Sequence, residues 1–370
     1  MGMLALPATA SAIDYAPVNT PGPPLIVPQS DLDSSLACNG NLAAGPTPVL
    51  LVHGTGSNPH DNFSWNWGPA LNDLGTAWCT VALPGNGMDD IQVGGEYVVN
   101  AIRTMHALAG RRISIIGHSQ GGMIPRWALR FWPDTRSMVD DQIGLAPSNH
   151  GTASAQFTCL PDCAPAIWQQ RDDSQFIKAL NSHQETFAGI SYTEIYSHLD
   201  LIVTPNFDDT GSSSLHTGDG QITNVAVQDV CPLDVSDHLL VGIQNLVAYD
   251  LAIDALEHPG PADPARAKAS DPGICTPLAL MPGIDPLTGP AAAATAAANL
   301  LATIATYPRV PAEPALACYV TAGCGQAPPA AGQATKPKCK RKKRKERGRL
   351  AESAKKKQKK CKRKKGKKRR

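Results

Sequence analysis

The sequence predicts an α/β fold in which helices flank a mostly parallel central sheet. Short continuous apolar runs, typical of strands buried on both faces, alternate along the chain with stretches of helical periodicity. Hydrophobic residues make up 42% of the 370 residues, which is enough for a sizeable core. No apolar run reaches the roughly 18 residues that a membrane-spanning helix needs. The sequence therefore excludes an integral membrane protein, and its apolar content excludes a fully disordered chain.

The strands are predicted by apolar runs that follow an extended segment, rich in Pro, Gly, Ser and Asn, at residues 13–47. The clearest runs are PVLLVH, TAWCTVAL and RISII, which have strand length and are too continuous for a half-exposed surface. In chain order, strands are predicted at residues 48–53, 76–83, 112–116, 142–146, 193–197 and 222–230.

The helices are predicted between these strands and after them. Residues 96–108 have a helical pattern that Gly110 would end, because glycine readily adopts the left-handed conformation found after a helix. Residues 121–131 follow as a helix that tolerates Pro125 in its first turns. Residues 243–257 form an amphipathic pattern, and the Ala-rich stretch 291–306 has strong helix propensity.

The charge of the chain is divided between two regions. Residues 336–370 contain 23 of the 34 Lys and Arg residues and only two of the 32 acidic ones, so this segment carries +21 and residues 1–335 carry −19. We therefore predict a domain at residues 13–335, Pro- and Ala-rich from about residue 259, and a disordered basic tail at 336–370. Residues 1–12 are apolar and end in Ala10-x-Ala12, which indicates a leader or a signal-peptide remnant.

The ten cysteines are dispersed along the chain, and none of them forms a Cys-x-x-Cys pair. An even number of scattered cysteines is typical of disulfides formed in an oxidising compartment, whereas a structural zinc site needs closely spaced pairs. Together with the apolar start of the chain, the cysteines predict a secreted protein without a metal site.

A candidate nucleophile lies in the segment GHSQG at residues 117–121, which fits the Gly-x-Ser-x-Gly pattern. The pattern alone is weak, but here it follows a predicted strand and precedes a predicted helix. That setting is typical of the nucleophile elbow of the α/β-hydrolase fold, in which a sharp turn exposes the serine, here Ser119. The alternative, a solvent loop with a coincidental serine, explains neither the strand nor the helix.

A serine hydroxyl needs a base and an acid, which follow it in the order acid, then histidine, in α/β-hydrolases. Asp200 closes the stretch YTEIYSHLD at residues 192–200, which contains a predicted strand, and His238 lies just after one strand and just before a helix. Other residues remain alternatives, although none of them has this position: His150, His183, His198 and His216 for the base, and Asp208, Asp209 and Asp219 for the acid.

The negative charge that develops on the substrate oxygen needs donors fixed in advance. One is expected to be the backbone N–H of Gln120, directly after the nucleophile. The other is expected from the loop VHGTG at residues 52–56, where Thr55 offers both an N–H and a hydroxyl. The alternative is an ordinary glycine-rich turn after a core strand.

Taken together, these residues resemble the lipase B-like secreted lipases of the α/β-hydrolase superfamily, from about residue 30 to about residue 325. The matching stretches include LLVHGTG at 50–56, EYVVNAI at 96–102, SQGG at 119–122, WQQ at 168–170 and DH at 237–238. The resemblance implies an α/β-hydrolase fold with Ser119, Asp200 and His238 as nucleophile, acid and base. It further implies Thr55 and Gln120 as the oxyanion hole, substrate contacts at Ile202 and Gln170, and an apolar helix at 291–306 along the entrance.

The resemblance also implies three disulfides, which are Cys38–Cys79, Cys231–Cys275 and Cys318–Cys324. It leaves the partners of four cysteines open: Cys159, Cys163, Cys339 and Cys361. A Cys159–Cys163 bridge would stiffen a small lid-like segment. Two positions depart from the family pattern: His118 stands where the family has a tryptophan at the floor of the alcohol pocket, and Ser148 replaces an aspartate.

The expected function is a secreted serine-dependent carboxylic ester hydrolase, foremost a triacylglycerol lipase, that acts on esters or lipids without a cofactor. Two alternatives stay open: a short-chain carboxylesterase or polyester esterase with the same residues, and an inactive hydrolase fold that binds polyanions. The basic tail is expected to contact anionic cell-envelope polymers or lipid headgroups, not a specific nucleic acid. It could also contact the acidic domain or remain solvated. Nothing in the sequence specifies an oligomeric state.

Overall fold

The computed structural model describes residues 13–324 of the chain. Within this range seven strands form one sheet in the order β1-β3-β2-β4-β5-β6-β7, and every neighbouring pair is parallel except β1 with β3. This architecture confirms the predicted α/β-hydrolase class. The strands are β1 Leu36–Asn39, β2 Val49–Val52, β3 Trp78–Val81, β4 Ile113–His118, β5 Val139–Leu145, β6 Ser191–Tyr196 and β7 Gln221–Ala226.

Helices cover both faces of this sheet. Two long helices, α4 and α5, follow β3 and β4, and the Ala-rich α13 lies near the C-terminal end of the described range. In order, the helices are α1 Gln29–Ser34, α2 Pro59–Phe63, α3 Trp67–Asp73, α4 Ile91–Ala109, α5 Gln120–Phe131, α6 Ser154–Thr158, α7 Pro165–Gln169, α8 Gln175–Leu180, α9 Val227–Val230, α10 His238–Ile243, α11 Leu246–Glu257, α12 Pro264–Ser270 and α13 Gly289–Thr306. No helix in residues 13–324 is long and apolar enough to cross a membrane.

Alternate residues of the central strands face two separate hydrophobic cores. On β2, Leu50 and Val52 join a core with α4 and α5, whereas Val49 and Leu51 join the opposite core with α3 and α11. All four side chains are fully buried. Because both faces of the strand are covered, its sequence is a continuous apolar run and does not alternate with polar residues.

The helix predicted at 96–108 begins earlier, at Ile91, and three other predictions differ from the observed elements. The segment 13–47 contains a short helix and the antiparallel strand β1, whose mostly exposed residues lack the apolar run of a buried strand. The predicted strand at 222–230 ends at Ala226 and continues as α9. The region around 243 contains two helices, because the side chains of Asp237 and Asn245 each cap a separate helix start.

Four disulfides join cysteines of the described range. The three pairs that the resemblance implies are present, and a fourth bridge links Cys159 to Cys163. In the first pair, Cys38 on β1 lies directly opposite Cys79 on β3. The predicted leader, the basic tail, Cys339 and Cys361 lie outside the described residues.

Candidate active site

Ser119 lies in the tight turn between β4 and α5. Its backbone has φ 57° and ψ −126°, a conformation that non-glycine residues rarely adopt, and its N–H donates to the carbonyl of Leu145 at 2.8 Å. The turn brings the start of α5 against β2, so closely that a Cβ at Gly121 would lie 2.0 Å from the oxygen of Val52. The surrounding sheet thus holds Ser119 in a strained position at the carboxyl edge of the strands.

His238, the first residue of α10, pairs with Asp200 in the loop after β6. Its Nδ1 lies 2.8 Å from Oδ2 of Asp200, and both side chains are almost completely buried. The other carboxylate oxygen of Asp200 accepts the backbone N–H groups of Ile202 and Val203 at 2.8 Å each. Because this carboxylate is acceptor-only, Nδ1 of His238 carries the proton and Nε2 is left free to accept one.

The alternative bases and acids lie elsewhere. His150 bonds Glu185 at 2.6 Å, His198 faces Asp229 at 3.2 Å, and His183 contacts a backbone carbonyl. The ring of His216 lies near that of His150. None of these four histidines lines the cavity that contains Ser119, and neither do the alternative acids Asp208, Asp209 and Asp219.

Ser119 and His238 line one cavity of about 410 Å³. No hydrogen bond joins the Ser119 hydroxyl to His238 within residues 13–324. Catalytic hydrogen bonds of this type are often long without substrate and shorten in the reacting complex.

Thr55, one of the two expected oxyanion donors, lines the same cavity, and the other, Gln120, directly follows the lining residue Ser119. Neither the backbone N–H of Thr55 nor that of Gln120 donates to another group of the described chain, so both are free for a ligand. The Thr55 hydroxyl accepts a hydrogen bond from Nε2 of Gln170 at 2.8 Å. Gln170 therefore contacts both the cavity and the donor loop after β2.

A buried histidine that the sequence analysis did not assign a role supports this donor loop. Nδ1 of His53 donates to the carbonyl of Gly54 at 2.9 Å, and Nε2 accepts the N–H of Leu83 at 3.0 Å. Burial lowers the pKa of His53 to about 4, so the ring stays neutral and can fill both roles. In the sequence, the only indication of this role is that His53 directly precedes Gly54.

His118, at the floor of the cavity, is also buried and neutral. Burial first, and the neighbouring His238 second, lower the pKa of His118 to about 3. Its Nδ1 lies 3.3 Å from Oδ1 of Asn62, and its Nε2 lies 3.3 Å from the carbonyl of His238. Asn62 also accepts the N–H of Gly54 at 3.2 Å, and the sequence analysis did not find this residue.

The remaining walls of the cavity are largely apolar. They include Ile202, as expected, and one face of α13. The main apolar residues of the lining are Ala155, Ile167, Leu201, Ile202, Val203, Leu239, Ile243, Ala296, Ala297, Leu300 and Ile304. Two side-chain hydrogen bonds connect α13 with the domain, from Asn299 to Asp61 at 3.0 Å and from Tyr307 to Asp89. We refer to these two contacts as the helix contacts.

The arrangement combines a polar reacting edge with an apolar chamber. Ser119, His238 and Thr55 bring a hydroxyl, a free imidazole nitrogen and an unpaired backbone N–H to an apolar space, and the unpaired N–H of Gln120 directly follows Ser119. This combination suits attack on the carbonyl of an apolar substrate. In the part of the chain that the structure describes, no cluster of three or more His, Cys, Asp or Glu residues is arranged to hold a metal ion.

Comparisons with known proteins identify the family of the chain. A family model described as Lipase (class 2) matches residues 96–231. Lipase B of Pseudozyma antarctica is 34% identical over 257 residues, which cover 68% of this chain and 73% of that protein. The crystal structure of Aspergillus fumigatus lipase B matches with a TM-score of 0.74 and 28% identity, covering 84% of this chain and 77% of that structure.

Proposed function

The chain belongs to the lipase family of these relatives and is a carboxylic ester hydrolase, and from this premise we propose that it is a secreted triacylglycerol lipase acting through Ser119, Asp200 and His238. The main support is the buried His238–Asp200 hydrogen bond at a cavity that also contains Ser119. The Nδ1 proton of His238 is engaged by Asp200, so Nε2 is the atom available as a base.

In the proposed reaction, His238 takes the hydroxyl proton of Ser119 as the serine oxygen attacks the ester carbonyl. Asp200 keeps His238 in the required tautomer and stabilises the imidazolium that forms. The two backbone N–H groups that Asp200 accepts keep its carboxylate oriented toward the ring.

The tetrahedral intermediate carries a negative oxygen, which we assign to the N–H groups of Thr55 and Gln120 and to the Thr55 hydroxyl. His238 then protonates the leaving alcohol, and an acyl group remains on Ser119. Water attacks this acyl-enzyme with His238 again as the base, which releases the fatty acid and restores the free serine.

The apolar lining supports a substrate with long hydrocarbon chains. Branched side chains from the loop after β6, from α10 and from α13 line the cavity around Ser119. Binding of a hydrocarbon chain is stabilised in proportion to the apolar area that is removed from water. Leu201 and Ile202 are 82% and 45% exposed, so the mouth of the cavity is apolar as well.

The test compares initial rates on p-nitrophenyl acetate, butyrate, octanoate and palmitate for the wild type, Ser119→Ala and Ser137→Ala. Ser137 is an exposed serine far from the cavity lining, so its substitution controls for a general effect of losing a hydroxyl. We expect Ser119→Ala to lose more than about 10³-fold in kcat on every ester, because the residual rate then comes only from binding and the oxyanion hole. Far-ultraviolet circular dichroism checks that the variant is folded.

The chain-length profile separates the candidate functions. A wild-type rate that rises toward palmitate and hydrolysis of emulsified triolein would support the lipase. A maximum at acetate or butyrate, still lost in Ser119→Ala, would instead identify a short-chain esterase with the same catalytic residues. Substantial activity in Ser119→Ala would exclude the assigned nucleophile.

We also propose that the protein acts outside the cell and that its basic tail binds anionic polymers or lipid headgroups. The four disulfides support an oxidising compartment. The charge of +21 in residues 336–370 supports polyanion binding, which falls with salt. Truncation after residue 335 should reduce retention on heparin and on anionic vesicles without changing kcat on a small ester.

A further inference from the structure

We propose that Ser148 and Gln170 aim the hydroxyl hydrogen of Thr55 at the oxyanion through a chain of hydrogen bonds. We call Ser148, Gln170 and Thr55, in this order, the donor relay. The inference rests on the proposed function, because only acyl transfer at Ser119 creates an oxyanion beside Thr55. Thr55 would then touch the reacting atoms, whereas Ser148 and Gln170 would be positioning residues that act through it.

The relay connects three separate segments of the fold. The hydroxyl of Ser148, in the loop after β5, donates to Oε1 of Gln170 at 3.0 Å. Nε2 of Gln170, which directly follows α7, donates to the hydroxyl oxygen of Thr55 in the loop after β2 at 2.8 Å. Ser148 is fully buried and Gln170 is 7% exposed, so water does not compete freely for these bonds.

A third contact fixes the orientation of the Gln170 amide. Its Nε2 also donates to the carbonyl of Ala166 at 3.1 Å. If the amide were rotated by 180°, its oxygen would face the Ala166 carbonyl and two acceptors would meet. The amide nitrogen, and not the oxygen, therefore faces Thr55.

This orientation determines what the Thr55 hydroxyl can do. Its oxygen already accepts from Gln170, so its single hydrogen cannot point toward that nitrogen and must point elsewhere. No group within residues 13–324 accepts a hydrogen bond from it, and Thr55 lines the cavity together with Ser119. The hydrogen is thus available to the substrate oxygen before the reaction starts.

A donor oriented in advance lowers the barrier because no reorganisation is needed when the negative charge develops. The substrate carbonyl in the ground state carries less charge than the oxyanion, so the relay should affect kcat far more than KM. Removing one oxyanion donor costs roughly 10²–10³-fold in rate, and disturbing only its orientation should cost less.

The decisive experiment is a double-mutant cycle measured on p-nitrophenyl butyrate. Thr55→Val removes the hydroxyl and should lower kcat by about 10²-fold, whereas Gln170→Met should lower it by about tenfold with KM changed less than about twofold. In the Thr55→Val background, Gln170→Met should cause less than about a twofold further loss, since no hydroxyl remains to be oriented. Thr55→Ser, which keeps the hydroxyl, should restore most of the rate and the sensitivity to Gln170→Met.

Two further variants keep the test interpretable. Ser148→Ala should give a smaller loss than Gln170→Met, about two- to fivefold, and this loss too should vanish in the Thr55→Val background. Gln184→Met is the matched control, because the Gln184 side chain donates to the carbonyl of Thr186 away from the cavity. Its kcat should equal that of the wild type.

Additive losses of Thr55→Val and Gln170→Met would overturn the relay, and so would a Gln170→Met effect confined to KM. If Gln170→Met does not fold, as judged by its Tm, the Ser148→Ala cycle decides in the same way. Ser119→Ala separates this failure from a failure of the proposed function. Full activity in Ser119→Ala would reject the proposed function, because no oxyanion would then form at Ser119. An inactive Ser119→Ala variant together with additive losses in the cycle would reject the donor relay alone.

Discussion

The reacting edge of the sheet and the helix wall formed by α13 are held in place in different ways. Ser119 directly follows β4, Asp200 lies in the loop after β6 and His238 begins α10, and all three are buried. On α13 only Gly289 is buried, and the helix contacts come from Asn299 on the helix and from Tyr307 directly after it. Under the proposed function, we infer from this difference a division of labour in which the buried edge does the chemistry and the less buried helix selects substrates.

The largest effect is expected at the edge, from Asp200→Asn. An amide at this position cannot hold the Nδ1–H tautomer of His238, so kcat should fall by about 10⁴-fold while KM changes little. Initial rates on p-nitrophenyl butyrate provide the measurement.

Asp208→Asn is the matched control for this prediction. Asp208 is exposed in the same region of the chain and bonds Thr210, so its amide variant should keep wild-type kcat. A loss below about tenfold in Asp200→Asn would show that the edge does not depend on this carboxylate.

A smaller effect is expected from Gly242→Ala, which disturbs the packing behind the edge without removing a functional group. A Cβ at Gly242 would lie 2.1 Å from Cδ2 of His118, so either this ring or α10 with His238 must move. Because a misplacement of about 1 Å can cost about 10²-fold, kcat should fall by about this factor.

Gly323→Ala is the control for the substitution itself, because a Cβ at Gly323 meets nothing within 4 Å. Alanine also favours helices over glycine, so Gly242→Ala should not unfold α10. A wild-type kcat in Gly242→Ala would show that the residues around Ser119 and His238 can shift without loss of activity. The proposed difference in rigidity between this region and α13 would then have less support.

The third prediction concerns the helix wall. Asn299→Ala combined with Tyr307→Phe removes both helix contacts, so α13 should be more mobile and the long-chain site less well formed. We expect kcat/KM on p-nitrophenyl palmitate to fall by about fivefold, and on the acetate by less than about twofold, since two hydrogen bonds of about 1 kcal/mol each are lost.

Thr295→Ala serves as the comparison on the same helix, because the Thr295 hydroxyl bonds only the carbonyl of Ala291 within α13. It should leave both esters unaffected. An equal loss on palmitate and acetate in the double variant would mean that α13 supports the chemistry, and would remove the proposed division of labour.

The smallest effect on activity is expected from Glu194→Gln, in β6 below the reacting edge. Burial raises the pKa of Glu194 from 4.5 to about 8, although the nearby Arg126 and Asn149 oppose this shift. Neither carboxyl oxygen makes a hydrogen bond of normal geometry among the described residues. The folded state therefore favours the protonated acid, and its stability falls as pH rises from about 4.5 through 8, where the buried group must ionise.

Glu194→Gln should remove this loss of stability. The Tm of the variant should match that of the wild type near pH 5 and exceed it by about 2–4 °C near pH 9, with kcat unchanged. Glu257→Gln, at an exposed site on α11, should show no such pH-dependent difference. A constant Tm difference at all pH values would mean that the ionisation of Glu194 does not couple to folding.

The buried strands at the centre of the fold could be predicted from the sequence, because the clearest of them are largely apolar runs of neighbouring residues. The run PVLLVH predicts a strand covered on both faces, and that strand, β2, lies inside the sheet between β3 and β4. Strand β1 carries no such signal, because its stability comes from pairing with β3 about 40 residues later. Short helices such as α2 and α8 depend on caps from Asn58 and Ser174 and on tertiary packing, and periodicity does not detect them.

The same distinction applies to the candidate site. The prediction of Ser119 used the five residues around it, that of Asp200 the stretch that it closes, and that of His238 its place between a strand and a helix. The contacts of His53, Asn62 and Gln170 could not be predicted in this way, because they depend on how distant segments of the chain meet. The Gln170–Thr55 bond, for example, spans 115 positions.

The pairing of Cys38 with Cys79 has a consequence for the outer strand β1. The two cysteines are direct partners across an antiparallel ladder, so a slip of one residue would turn one of them to the other face of the sheet. A four-residue strand with three exposed positions has too little apolar area to choose its register by burial. The covalent bond makes this choice, and the strand remains in register when thermal fluctuations break its hydrogen bonds.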